Sequence, residues 1–137
     1  MNSKLNPYVS FNGNAKEAIE FYKSVFGGNL TLSTFKEGGA PVGPEDSDKI
    51  MHGMLIADNG ITLMVSDTPP GMPYNPGTNI SISLSGDNEE ELKGYWDKLS
   101  EGAKITMPMD KAPWGDTFGM LTDKFGIAWL VNIAGKK

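Results

Sequence analysis

Apolar positions change period along this chain, and the change occurs twice. Tyr8-Val9-Ser10-Phe11 alternates, as a half-buried strand does, and Asn12-Gly13 breaks it. Ala18, Ile19, Tyr22, Val25 and Phe26 then recur at helical spacing and predict one buried helix face. Asn14 is the expected N-cap, with Glu17 three residues on completing a capping-box-like pair, and Gly27-Gly28 is the expected stop. Asn29 to Phe35, with Leu30 and Leu32 between Thr and Ser, predicts a second strand. Residues 36–50, rich in Gly, Pro and charge, predict a mobile loop. Met51 to Ala57 and Ile61 to Ser66 flank Asp58-Asn59-Gly60, a strong hairpin signal.

The prolines and glycines of residues 68–77 cannot continue a central strand and predict a linker. Beyond it the order returns. Ile80, Ile82 and Leu84 alternate with Ser, Asn88 opens a helix carrying Leu92, Tyr95, Trp96 and Leu99, and Lys104 to Met109 predicts a strand. Phe118 to Thr122 and Ile127 to Ile133 predict the closing hairpin. The words repeat too: Asn14-Ala-Lys-Glu17, Phe21-Tyr22 and Gly28 are echoed by Asn88-Glu-Glu-Glu91, Tyr95-Trp96 and Gly102. Internal repetition dictates architecture before propensity is weighed. Each half reads strand–helix–strand–strand–strand. The expected fold is α+β: two βαβββ modules, 5–67 and 78–133, forming an incomplete mixed-sheet barrel with helices outside, within one domain. Two such halves packed together would leave a cleft at their joint. A ferredoxin-like sandwich needs two helices per four strands, whereas this chain supplies two per eight.

Composition narrows the partners. The 137 residues carry a net charge of -5, and the basic residues are all Lys. Without guanidinium, the preferred bidentate partner of phosphate and carboxylate, anionic ligands lose weight. An acidic chain without a basic stripe disfavours nucleic acid. No run of about 18 apolar residues predicts a membrane span, and the N-terminus lacks an apolar signal core and reads as the true start. The absence of cysteine excludes disulfides and thiolate chemistry and fits a cytoplasmic location.

Several segments together resemble the vicinal oxygen chelate superfamily, which contains glyoxalase I, extradiol dioxygenases and bleomycin- and fosfomycin-resistance proteins. They are Asn6-Pro-Tyr-Val-Ser-Phe-Asn-Gly13, Met51-His52, Leu63-Met-Val-Ser-Asp67, Pro113-Trp-Gly-Asp-Thr-Phe-Gly119 and Thr122-Asp-Lys-Phe-Gly126 with Trp129. They look specifically like the PhnB-like branch. Some relatives there carry a demethylubiquinone methyltransferase name, but no Gly-rich strand-to-helix turn that would cradle adenosylmethionine is present.

The resemblance implies metal ligands from the first and last strands of each half. Matched by position, this chain offers Pro7 or Tyr8, Ser66 or Asp67, Thr78 or Asn79, and Leu130 or Asn132. Only Asp67 is a natural ligand, and a divalent site needs three good donors. The expected metal set, cofactor and catalytic residues are therefore none.

The candidate ligand-binding residues are Tyr8, Phe11, His52, Met64, Asp67, Trp114, Phe118 and Trp129. His52, the single imidazole, reads either as a strand-end residue bonded to a neighbouring carbonyl or as a pocket group near its working pH. Trp114 suits stacking on a flat ligand, or equally plugging a barrel end or a dimer interface. Asp116 reads as a turn former, and Glu89-Glu90-Glu91 as acids placed at the positive end of a helix. Tyr8, Phe11, Met64 and Trp129 would line the barrel or fill its core; which strand face is concave stays open.

Three functions follow: a metal-free protein sequestering a small molecule; an enzyme (lyase, isomerase or dioxygenase) with an unusual metal set or with His52, Asp67 and Asp116; and a scaffold with a filled barrel. A homodimer is expected in each.

Overall fold

In a computed structural model that describes residues 3–135, the two halves have the same plan. Strand β1 (Tyr8–Phe11), helix α1 (Ala15–Phe26), β2 (Asn29–Thr34), β3 (Ile50–Ile56) and β4 (Thr62–Asp67) make the first. Strand β5 (Ile82–Gly86), helix α2 (Glu89–Leu99), β6 (Lys104–Lys111), β7 (Thr117–Thr122) and β8 (Ala128–Ile133) make the second. The chain divides into two compact units, Met1–Pro76 and Gly77–Lys137. Pairing closes within each half. The eight strands form two four-stranded mixed sheets, β1-β4-β3-β2 and β5-β8-β7-β6, rather than one closed barrel. Each first strand runs parallel to the last of its unit, and the other pairs are antiparallel. The strand bounds move little from expectation, but Ile80 lies outside β5 and is 79% exposed.

Alternation gives each sheet one face for its helix. In unit 1, Leu55, Leu63 and Val65 are fully buried with Ala18, Ile19 and Tyr22 of α1. In unit 2, Leu121, Trp129 and Val131 are buried with Leu92, Tyr95, Trp96 and Leu99 of α2. Gly119 has a packing reason. A Cβ there would stand 2.7 Å from the Trp96 ring, so its absence is what seats the indole on β7.

The helix starts correct one expectation. Asn88 caps α2 as read, its side chain accepting from the Glu91 N–H at 3.0 Å. Asn14 makes no side-chain cap bond. The α1 N-terminus is instead capped from across the sheet by Asp67, whose Oδ1 accepts from the N–H groups of Gly13 at 2.8 Å and Ala15 at 3.0 Å. Asn88→Ala is therefore expected to cost about 1 kcal/mol and Asn14→Ala under about 0.5 kcal/mol. Paired urea denaturation curves check this, and equal losses would contradict it.

The segment from 36 to 50, expected to be a mobile loop, carries turn hydrogen bonds of its own. Phe35 N–H donates to the Lys49 carbonyl and Lys36 N–H to that of Ser47. Thr34 and Glu37 bond reciprocally, and the Thr34 backbone N–H, then its hydroxyl, hold the Glu37 carboxyl below its ordinary value.

Candidate functional site

Each sheet has a second face that its helix does not cover, and the register states which side chains share it. In unit 1, Tyr8 is opposite Met64, Met64 opposite Met54, and Met54 opposite Thr31. The neighbouring row holds Ser10 opposite Ser66 and His52 opposite Ser33. Continuing the β3–β4 register by one residue brings His52 level with Ser66, completing the row across four strands. The Tyr8 and His52 rings lean together over β4, 5.8 Å between centroids and tilted by 52°. His52 is thus the third residue of β3, in an aromatic contact, flanked by hydroxyls. None of these positions carries a carboxylate or an ammonium group. The face offers thioethers, hydroxyls, a phenol and an imidazole.

Unit 2 repeats the layout with different chemistry. Ser83, Leu130, Met120 and Met107 form one row, and Ser85, Asn132, Phe118 and Asp110 the next. The loop between β6 and β7 stands beside Phe118 and presents Trp114. The two rings meet edge-on, 5.7 Å apart at 66°, and Trp114 is 62% exposed. Asp116 ties this loop down: its Oδ2 accepts from Asn132 Nδ2 at 2.9 Å and its Oδ1 from the Gly135 N–H at 2.8 Å. Within the loop, Ala112 N–H donates to the Asp116 carbonyl and Gly115 N–H to that of Ala112. Asp116 does form a turn, as read, and also anchors it to β8.

Of the eight candidate residues, Tyr8, His52 and Met64 share the helix-free face of unit 1, and Phe118 with Trp114 belongs to that of unit 2. The other three lie on the helix sides. Phe11 is buried beneath α1. Asp67 is 2% exposed and holds the α1 N-terminus, its Oδ2 also accepting from Ile50 N–H at 2.9 Å. Trp129 is 2% exposed and donates its indole N–H to Asp123 Oδ2 at 2.8 Å. Asp67 and His52 therefore occupy opposite faces of one sheet and do not form an acid–base pair. Sequence reasoning passed over Met54, Met120 and Asp110, and weighed Asn132 only as a metal-ligand position, because the strand register that groups them has no signature within either strand alone.

A metal centre of the kind the resemblance implies needs three good donors brought to one place. Among the described residues no three His, Cys, Asp or Glu side chains come together. Asp67, the natural ligand, has both oxygens engaged by backbone donors. Thr78 and Asn79 precede β5 and stand outside the sheet. The residues do not fit such a centre. A separate shallow groove of about 550 Å³ runs between α1 and β2, floored by Leu30 and Leu32 and rimmed by Lys16, Glu20 and Lys23.

Known proteins share this plan. Protein YjdN of Escherichia coli is 33% identical, over 94% of each chain. An uncharacterized protein of Mycobacterium bovis is 29% identical over 93% of this chain and 81% of its own. Among solved structures, protein PA1353 from Pseudomonas aeruginosa aligns with a TM-score of 0.85 and 38% identity, over 98% of this chain and 100% of its own. A Bacillus cereus PhnB protein, described as a putative 3-demethylubiquinone-9 3-methyltransferase, aligns with a TM-score of 0.72 and 28% identity, over 96% and 100%. The family model of the glyoxalase/bleomycin resistance protein/dioxygenase superfamily matches residues 4–131. The chain, two βαβββ units with PhnB-like neighbours, belongs to the glyoxalase/bleomycin resistance protein/dioxygenase superfamily.

Proposed function

We propose that this chain is a small-molecule-binding protein that holds its ligand without converting it and without a resident metal. The observation carrying this reading is the chemistry of the helix-free faces. Tyr8, His52 and Met64 in unit 1, and Phe118 and Trp114 in unit 2, offer stacking and dispersion to an apolar or planar ligand. The buried carboxylates Asp67 and Asp123 lie on the helix sides, bonded to backbone and indole donors. Phe11, Asp67 and Trp129 then support the binding faces from behind.

A compound screen followed by thermal unfolding tests this. Hits are expected to raise Tm by mass action and to be recovered chemically unchanged. Turnover of a hit that is lost in His52→Ala would replace this reading with the enzyme reading, which the position of His52 beside Tyr8 and two serine hydroxyls favours as the alternative. We place the protein in the cytoplasm, consistent with its lack of cysteine, and as a homodimer, supported by exposed Ile80, Met72 and Met107. Sedimentation at monomer mass with no concentration dependence would remove the dimer.

A further inference from the structure

We propose that the helix-free face of unit 2 takes a planar aromatic cation, stacked on Trp114 beside Phe118 and neutralised by the Asp110 carboxylate. This rests on the small-molecule reading and adds the charge of the ligand.

The first argument is posture. An indole 62% exposed contributes little to the core, yet its loop is held at several points. Asn132 and Gly135 both donate to Asp116, and two backbone bonds close the turn around Gly115, whose φ of 101° only glycine adopts readily. A flexible loop would lose entropy on gripping a ligand, whereas this one has its shape beforehand. The edge-on Phe118 further limits the indole's rotation.

The second argument is charge. Asp110 stands directly opposite Phe118 in the β6–β7 register, so its side chain shares the face with the ring. The Asp116 carboxylate accepts from Asn132, the residue opposite Phe118 on β8. Lys111 pairs with Thr117, which in turn pairs with the buried Ile133 and so belongs to the helix side. Lys104 lies at the far end of the face, opposite Thr122. Among the described residues, the aromatic end of the face is therefore acidic. A ring bearing positive charge gains from the indole face and from the carboxylate together, while a ring bearing a carboxylate is repelled. The net charge of -5 attracts cations from further away. Unit 1's helix-free face has no carboxylate at its paired positions and makes no such distinction.

Three probes of similar ring area separate stacking from charge: N-methylquinolinium, quinoline and naphthalene-1-carboxylate. Trp96 and Trp129 are buried, so quenching of tryptophan emission by a surface-bound ring reports Trp114, and calorimetry gives the affinity in variants. The cation is expected to bind about fivefold more tightly than quinoline, and the anion weakest. Asp110→Asn should erase the cation's advantage and leave quinoline within about twofold. Trp114→Ala, an exposed loop substitution, should weaken both by about tenfold. If the cation and quinoline bind alike and both depend on Trp114, the charge assignment falls and the small-molecule reading stands. If no probe binds, or if binding is indifferent to Trp114, this site on unit 2 is wrong.

Discussion

Asp67→Ala is expected to lower the stability of the protein by about 3–5 kcal/mol, a large part of the 5–15 kcal/mol typical of a domain. The carboxylate accepts three backbone hydrogen bonds in a site almost closed to water, from Gly13, Ala15 and Ile50. Alanine leaves those donors without an acceptor, and buried unsatisfied donors cost about 1–3 kcal/mol each before relaxation. It also removes negative charge from the positive end of α1. Asp67→Asn is the informative companion. Its amide oxygen can replace one carboxylate oxygen, but its NH₂ must then face a backbone N–H. It should lose nearly as much as alanine. Guanidinium denaturation of the three proteins decides the matter. A loss under about 1 kcal/mol for alanine would mean that Asn14 takes over the cap, as Asn88 does in α2.

Gly28→Ala should be as damaging, for two reasons that add. Its φ of 98° is a conformation that L side chains rarely adopt, which alone costs about 1–2 kcal/mol. A Cβ there would also meet the backbone of β3's end, coming within 2.8 Å of the Ile56 carbonyl carbon. Backbone cannot swing aside as a side chain can, so α1 or the β3–β4 hairpin must shift. The expected total is about 3–4 kcal/mol. Gly60→Ala isolates the first cause, because Gly60 has a φ of 93° with nothing within 4 Å of the added carbon. It should cost about 1–2 kcal/mol. Thermal unfolding of both variants gives the difference, and equal values would show that the contact at Gly28 relaxes freely.

The architecture was legible because its signals are local. Helical spacing from Ala18 to Phe26, alternation in the strands, and Asp58-Asn59-Gly60 are all readable within a few residues, and their recurrence after the linker gave the two-module plan. The cap of α1 was not legible, since Asp67 acts over a sequence separation of more than fifty residues while a plausible local cap stood at Asn14. The site divided along the same line. Alternation separated Met64 from Leu63 and Val65, but the choice of face needed the helix to be in place. Once α1 is on the Leu63 side, Tyr8, His52 and Met64 fall together and Phe11 and Asp67 fall behind them. Trp129 followed its neighbour: the Asp123 carboxylate that organises the β7–β8 turn also takes the indole N–H, committing the ring to the core.

The unlike helix caps of two like units also bear on the order in which the chain can fold. Asn88 reaches Glu91 three residues away, so α2 can complete its first turn from its own segment. The cap of α1 waits until β4 has been placed, since its acceptor arrives only with that strand and closure of the long intervening loop must come first. Two units of one plan thus differ, one with a locally nucleated helix and the other with a helix that reports completion of its sheet. In refolding experiments Asn88→Ala should slow folding, whereas Asp67→Ala should act mainly by speeding unfolding.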